Sequence, residues 1–161
     1  MVIILMGVAG CGKTTIGTLL AEAIGWPFYD GDHFHPEANV KKMASGIPLN
    51  DQDREPWLRA IQQFIHARQE QGEAAIIACS ALKAAYRDIL RAGNPNVEFV
   101  HLKGDFAVIA ARLAARKGHY MPPTLLNSQF EALQEPADAF IVDIAPPPEQ
   151  VVNAIRTHFG V

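Results

Sequence analysis

Cysteine is scarce: Cys11 and Cys79 are the only two among 161 residues, too few for a disulfide framework and without the spacing of a metal site. Long apolar runs are missing as well. None approaches the ~18 residues that cross a bilayer, so no membrane span is expected. The opening Met1-Val2-Ile3-Ile4-Leu5-Met6 is short, lacks a basic stretch and runs directly into glycines. It is therefore not read as a targeting segment, and a cytoplasmic setting is expected. Clustered positive charge is absent too: 14 Lys and Arg stand against 17 Asp and Glu, a net charge of −3 with no basic run. Nucleic acid and anionic membrane surfaces both require a basic face, so neither is an expected partner. There is no internal repeat or low-complexity segment, and Pro146-Pro147-Pro148 reads as a short loop. What is left is an ordinary globular balance, 49% hydrophobic and 19% charged, at a length that fits one domain over residues 1–161.

The aliphatic run at 2–6 reads as a buried strand because glycines follow it at once. Apolar spacing at Ile16, Leu19, Leu20, Ala23 and Ile24 then predicts a helix over 14–24, closed by Gly25. Further short apolar runs at 28–29, 74–79, 97–102 and 139–144 read as strands. Helical patterns separate them. One starts near Asn50/Asp51 and carries Trp57, Ile61, Phe64 and Ile65; another runs from Lys83 to Arg91 and ends at Gly93. A third covers Phe106 to Arg116 and stops at Gly118, and the last follows the proline triplet. Strands alternating with helices predict an α/β fold, a parallel sheet covered on both faces. Segments 31–56 and 117–130 are too long for ordinary connections and are read as functional.

Gly7-Val8-Ala9-Gly10-Cys11-Gly12-Lys13-Thr14 has the form of a P-loop, and each residue type in it has a physical reason. Glycines let successive backbone N–H groups point at a phosphate, and the helix that follows adds its positive end. Lys13 reaches the β- and γ-phosphates, and the Thr14 hydroxyl ligates Mg2+. Residues 7–14 together with Thr15 are the expected ATP contacts. A strand before the motif and an amphipathic helix after it distinguish it from a chance glycine-rich turn. No Asn-Lys-x-Asp string accompanies it, which counts against a guanine-reading switch.

Ligands in such a sheet sit beyond the carboxyl ends of the strands. The second strand ends in Tyr29-Asp30-Gly31-Asp32, setting two carboxylates beside the loop. Asp30 suits Mg2+, and Asp32 suits the acceptor hydroxyl's proton. The same string also reads as a plain Asp-Gly-Asp turn. Arg54 has the planar fork for a substrate carboxylate, or equally for a surface pair with Asp51 or Asp53. The third strand ends at Cys79-Ser80 with no acidic residue for the metal, which favours Asp30 for that role; Cys79 reads as a small buried side chain. Arg112 and Arg116 stand at i, i+4 on one predicted helix face, followed by Lys117-Gly118-His119. That is the chemistry of a lid closing on a transferring phosphate, or simply of cations at a helix C-terminus. The loop near 144–147 is a candidate for the adenine.

Taken together, these strings resemble the gluconokinases, small P-loop kinases that phosphorylate D-gluconate on its 6-hydroxyl with ATP. The resemblance covers nearly the whole chain. It runs from Gly7–Thr14 through Asp30-Gly31-Asp32, His35-Pro36, Asn39, 42–46, Pro48-Leu49-Asn50-Asp51, Asp53-Arg54 and Pro56-Trp57-Leu58. It continues in 79–83, Tyr86-Arg87-Asp88, 102–105, 116–119, Gln129-Phe130 and 133–136. The first strand, loop and paired aspartates are also similar to the shikimate kinases, where the first aspartate serves the metal and the second the acceptor. The resemblance implies a three-layer P-loop fold with a five-stranded parallel sheet, a mobile lid near 112–124, acceptor binding over about 31–56 and often a homodimer. On it, Asp32, Lys13 and Arg116 are the expected catalytic residues, with Arg112 on the nucleotide and Thr14 and Asp30 on the metal. Arg54, Lys83, Tyr86 and His119, with Asp32, are the expected gluconate contacts. The chain departs from common family forms at Cys11, where a small hydroxylated residue is more usual, and in the proline-rich Tyr120-Met121-Pro122-Pro123.

Overall fold

Val2–Met6 is buried along its whole length, as a strand covered on both faces must be, and it forms the middle of the sheet. In the computed structural model, which describes residues 1–116 and 123–161, five strands are all paired in parallel in the order β2-β3-β1-β4-β5. They are β1 (Val2–Met6), β2 (Phe28–Asp30), β3 (Ala75–Ala78), β4 (Val97–Lys103) and β5 (Phe140–Asp143). Seven α-helices are described: α1 (Lys13–Ile24), α2 (Glu37–Ala44), α3 (Asp51–Glu70), α4 (Ala84–Arg91), α5 (Phe106–Ala115), α6 (Pro123–Ala132) and α7 (Pro148–Phe159).

Strand pleating sorts the core into two layers. Ile3 and Leu5 of β1 pack with Leu20 of α1, Ile109 of α5 and Ile155 of α7. Val2, Ile4 and Met6 face the other way, onto Leu58 and Ile61 of α3 and Leu90 of α4. The result is the expected three-layer α/β/α arrangement.

Three expectations need correction. Segment 31–56 is not one continuous loop: a 3-10 turn (Gly31–Phe34), α2 and the start of α3 occupy most of it. Segment 117–130 likewise contains most of α6, while 117–122 lie outside the described residues. Helix α5 ends at Ala115, and Arg116 has extended backbone (φ −77, ψ 122), so Arg112 and Arg116 are not both on the helix. The start of α3 matches expectation closely. Asn50 accepts from the Asp53 N–H and Asp53 accepts in return from the Asn50 N–H, a reciprocal cap that fixes where the helix begins.

Candidate active site

Strand order reverses at β1, since the chain goes one way to β3 and β2 and the other way to β4 and β5. That is where an open parallel sheet forms a crevice at its carboxyl edge. The glycine-rich loop leaves β1 at this point. Gly12, the residue just before α1, has φ of 100°, a left-handed conformation that a side chain would strain. It lets the first amides of α1 open directly onto the loop. Lys13 Nζ donates to the carbonyls of Gly7 (3.0 Å) and Val8 (3.1 Å), so its ammonium is held over its own loop. Cys11 is buried, with Sγ 3.9 Å from that ammonium.

A cleft of about 800 Å3 lies in front of the loop, and its walls join several predicted groups. Ala9 to Ile16 form its floor, Asp30 and Asp32 one side, and Arg112 and Arg116 another. Ile144, Pro146 and Pro148 close it at the region expected for the adenine. Arg112 Nη2 donates to the Ile144 carbonyl at 2.6 Å, so this arginine braces the Ile144 wall as well as lining the cleft. Asp30 forms the Asp-Gly-Asp turn, its Oδ1 accepting from the Asp32 N–H at 2.9 Å, and it also lines the cleft.

Of the expected gluconate contacts, Asp32 lines the cleft, whereas Arg54, Lys83 and Tyr86 gather around Asp51 and are not among its lining residues. Arg54 Nη1 donates to the Tyr86 hydroxyl at 3.4 Å, Tyr86 donates to Asp51 Oδ1, and Lys83 Nζ donates to the same oxygen at 3.0 Å. The surface pairs proposed for Arg54 do not form, because Asp51 is taken by Tyr86 and Lys83, and Asp53 by Lys42 at 2.5 Å. These contacts set the charges. The Tyr86 hydroxyl, then Lys83, hold the Asp51 carboxyl below the usual range, and Lys42 does the same for Asp53. The Asp51 hydrogen bond raises Lys83, while burial, then that same carboxylate, raise Tyr86. At neutral pH the group is thus an ionised Asp51 and Lys83 around a neutral phenol. His119 lies outside the described residues.

Both halves of the site are referenced to β3. The Gly7 N–H donates to the Ser80 carbonyl at 3.2 Å, and Gly31 packs so tightly that a Cβ there would lie 2.4 Å from the Ala78 carbonyl oxygen. Ala81, the residue after Ser80, has φ of 44°, which costs backbone energy for a residue with a Cβ. Buried Arg87 holds it, donating to the Ala81 carbonyl (2.7 Å) and the Gln134 carbonyl (2.8 Å). Cys79 beside it is fully buried, and that burial pushes its thiol up to about 12, as an inert core group requires.

Sequence reasoning attached no chemistry to four residues that organise the site. Gln129 of α6 accepts from the Ala9 N–H at 2.6 Å, reaching the phosphate loop across 120 positions. His35 donates its backbone N–H to the Asp32 carbonyl and meets Asn39, Asn39 donates to the Asp53 carbonyl next to Arg54, and Asp51 accepts from Tyr86, the partner of Arg54. All four fall within the strings that carry the family resemblance. Their roles were not legible because each depends on a partner distant in sequence or on a turn geometry.

Comparison with known proteins agrees with this geometry. The shikimate kinase family profile matches residues 9–156. The thermoresistant gluconokinase of Escherichia coli is 51% identical over 153 residues, covering 92% of this chain and 87% of that protein. A sugar kinase from a Janibacter species superposes with a TM-score of 0.91 at 44% identity, over 99% of this chain and 94% of that one. A gluconokinase from Sinorhizobium meliloti superposes at 0.84 and 42%, over 98% and 95%. With a phosphate loop, paired aspartates and an arginine wall on one cleft, and likeness of this extent along nearly the whole chain, the protein belongs to the gluconokinase family of P-loop kinases.

Proposed function

We propose that this kinase transfers the γ-phosphoryl group of ATP to the 6-hydroxyl of D-gluconate, giving 6-phospho-D-gluconate and ADP. One observation carries the reading: Asp30 and Asp32 share a single cleft with the phosphate loop, in a chain of this family. Asp32 takes the proton of the 6-hydroxyl as its oxygen attacks the γ-phosphorus. A new O–P bond forms at that oxygen while the bond from the γ-phosphorus to the β–γ bridging oxygen breaks, and the electron pair leaves on ADP. Lys13 and Arg116 offset the negative charge on the transferring group, and the loop amides, Gly7 through Thr15, orient the phosphates. Arg112 and the 144–148 wall hold the rest of the nucleotide. Arg54, Lys83, Tyr86 and His119 bind the gluconate carboxylate and hydroxyls.

The donor set fits Mg2+. Among the described residues no group of three or more His, Cys, Asp or Glu side chains is placed to hold a metal alone. The Thr14 hydroxyl and the Asp30 carboxylate instead offer the one or two oxygens that Mg2+ takes when phosphates and water complete its shell. Bound there, the ion neutralises the β- and γ-phosphate oxygens.

We place this activity in the cytoplasm, where ATP is supplied, and the two cysteines of the chain are both unpaired. No helix among the described residues is long and apolar enough to cross a membrane. The family resemblance supports assembly as a homodimer, which light scattering checks directly. The activity is tested by ADP release against gluconate and shikimate: release with gluconate alone is expected, and its absence ends the assignment. Asp32→Asn lowers kcat by about 10²–10⁴ if Asp32 is the base.

A further inference from the structure

We propose that His35 reads the acceptor: its Nε2–H donates to a hydroxyl oxygen of the sugar acid next to the one that Asp32 deprotonates. The inference rests on the gluconate reading above and adds a residue to it. His35 directly follows the turn that carries Asp32, and its backbone N–H donates to the Asp32 carbonyl at 3.4 Å. The ring lies flat on the Trp57 indole, with centroids 4.3 Å apart and planes inclined by 15°. Trp57 is itself buried and donates from Nε1 to the Gly31 carbonyl at 2.7 Å. The plane of the imidazole is thereby set by a side chain bonded to the residue beside Asp32.

Rotation within that plane, and the tautomer, are set by Asn39. This side chain is buried, and its Nδ2 lies 2.8 Å from the Asp53 carbonyl and 3.2 Å from His35 Nδ1. A backbone carbonyl only accepts, so the atom facing Asp53 is the amide nitrogen. The same nitrogen faces Nδ1, which must therefore be the acceptor, and the neutral ring carries its hydrogen on Nε2. Burial favours this neutral form, the Asp32 charge opposes it and Arg54 supports it, so the ring stands within electrostatic reach of both. Among the described residues Nε2 has no hydrogen-bond partner, and it is not one of the occluded polar atoms. With Nδ1 occupied, the ring has no lone pair left for a proton or a metal. What it offers is one fixed N–H donor, suited to a hydroxyl oxygen.

The test is steady-state kinetics on three variants of the full chain. His35→Phe keeps a flat ring on Trp57 and removes the donor; His35→Gln restores an amide nitrogen near the Nε2 position, and His35→Asn does not. A hydrogen bond of this kind is worth about 1 kcal/mol or more, so the gluconate KM of His35→Phe rises about fivefold to tenfold. The ATP KM stays within twofold, and His35→Gln recovers most of the loss. An unchanged gluconate KM in His35→Phe, or equal rises in both KM values, overturns the proposal. Where His35→Phe does not fold, the two amides decide: a higher gluconate KM for asparagine than for glutamine supports the proposal, and equal values overturn it. If the unsubstituted protein turns over ATP with another acceptor but not gluconate, the gluconate reading itself has failed, a result distinct from any of these.

Discussion

Replacing Gly31 by alanine displaces the acceptor half of the site by an amount that the packing sets. The added methyl would stand 2.4 Å from the Ala78 carbonyl oxygen, with the Ala78 carbonyl carbon and Cys79 Cβ both at 3.4 Å. The obstacle is backbone in an inner strand, because Ala78 pairs with Leu5 on one side and Asp30 on the other, so it cannot yield. The backbone at Gly31 is not left-handed, so the strain is purely steric. Ordinary contact begins near 3.4 Å, and the turn must therefore move by about 1 Å to relieve the clash. Overpacking of this kind costs about 1–3 kcal/mol, which lowers the melting temperature by roughly 2–12 °C for a domain of this size. Asp32 rides on the same turn, and a misplacement of ~1 Å costs on the order of 10²-fold in rate. The phosphate loop leaves a different strand, so the ATP KM stays within about threefold. ADP-release kinetics and a thermal melt on Gly31→Ala measure all three quantities. A kcat within threefold of the unsubstituted protein, with an unshifted melt, refutes the claim that Gly31 positions Asp32.

Other substitutions probe the frame around the site. Gln129→Leu removes the acceptor of the Ala9 N–H, worth about 0.5–1.5 kcal/mol net, and raises the ATP KM roughly twofold to tenfold; an unchanged ATP KM assigns the contact to folding alone. His101 is buried on β4 with Nδ1 unpartnered, and burial lowers its pKa against the pull of Glu135, with Lys103 and Arg87 acting in the same direction as burial. The unfolded chain then binds more protons than the folded one below about pH 6.5, so stability falls as pH drops from there. Urea unfolding at pH 7.5 and 5.5 shows a smaller loss in His101→Leu than in the unsubstituted protein, and an equal loss removes His101 as a cause.

Elements whose pattern is local were legible in the sequence. The strand at 2–6, the glycine loop and the cap at Asn50 each carry their own signal, and the structure places them within a residue or two. Helix α2 was missed because Glu37–Ala44 has only Asn39 buried, and a helix with one inward residue leaves no apolar stripe to read. Arg116 was placed on a helix that stops one residue earlier, where tertiary packing and not composition sets the end. The donor half of the site is a contiguous motif and so was visible whole. The expected acceptor residues Asp32, Arg54 and Tyr86 stand on three separate elements, and the bonds that join Arg54, Tyr86, Lys83 and Asp51 link residues 32 or more positions apart.

The placement of β3 between β1 and β2 has a consequence for how this enzyme could change its substrate. Neighbouring strands lie about 4.8 Å apart, so the two chain ends bearing loop and carboxylates are separated by roughly 10 Å of hydrogen-bonded sheet. That span is a ruler no surface loop can stretch. The parts proposed to meet the rest of the acceptor, α2 and the start of α3, lie outside the sheet. Their sequence is free to vary toward longer, shorter or differently charged sugar acids while the gap that the phosphoryl group must cross keeps its width.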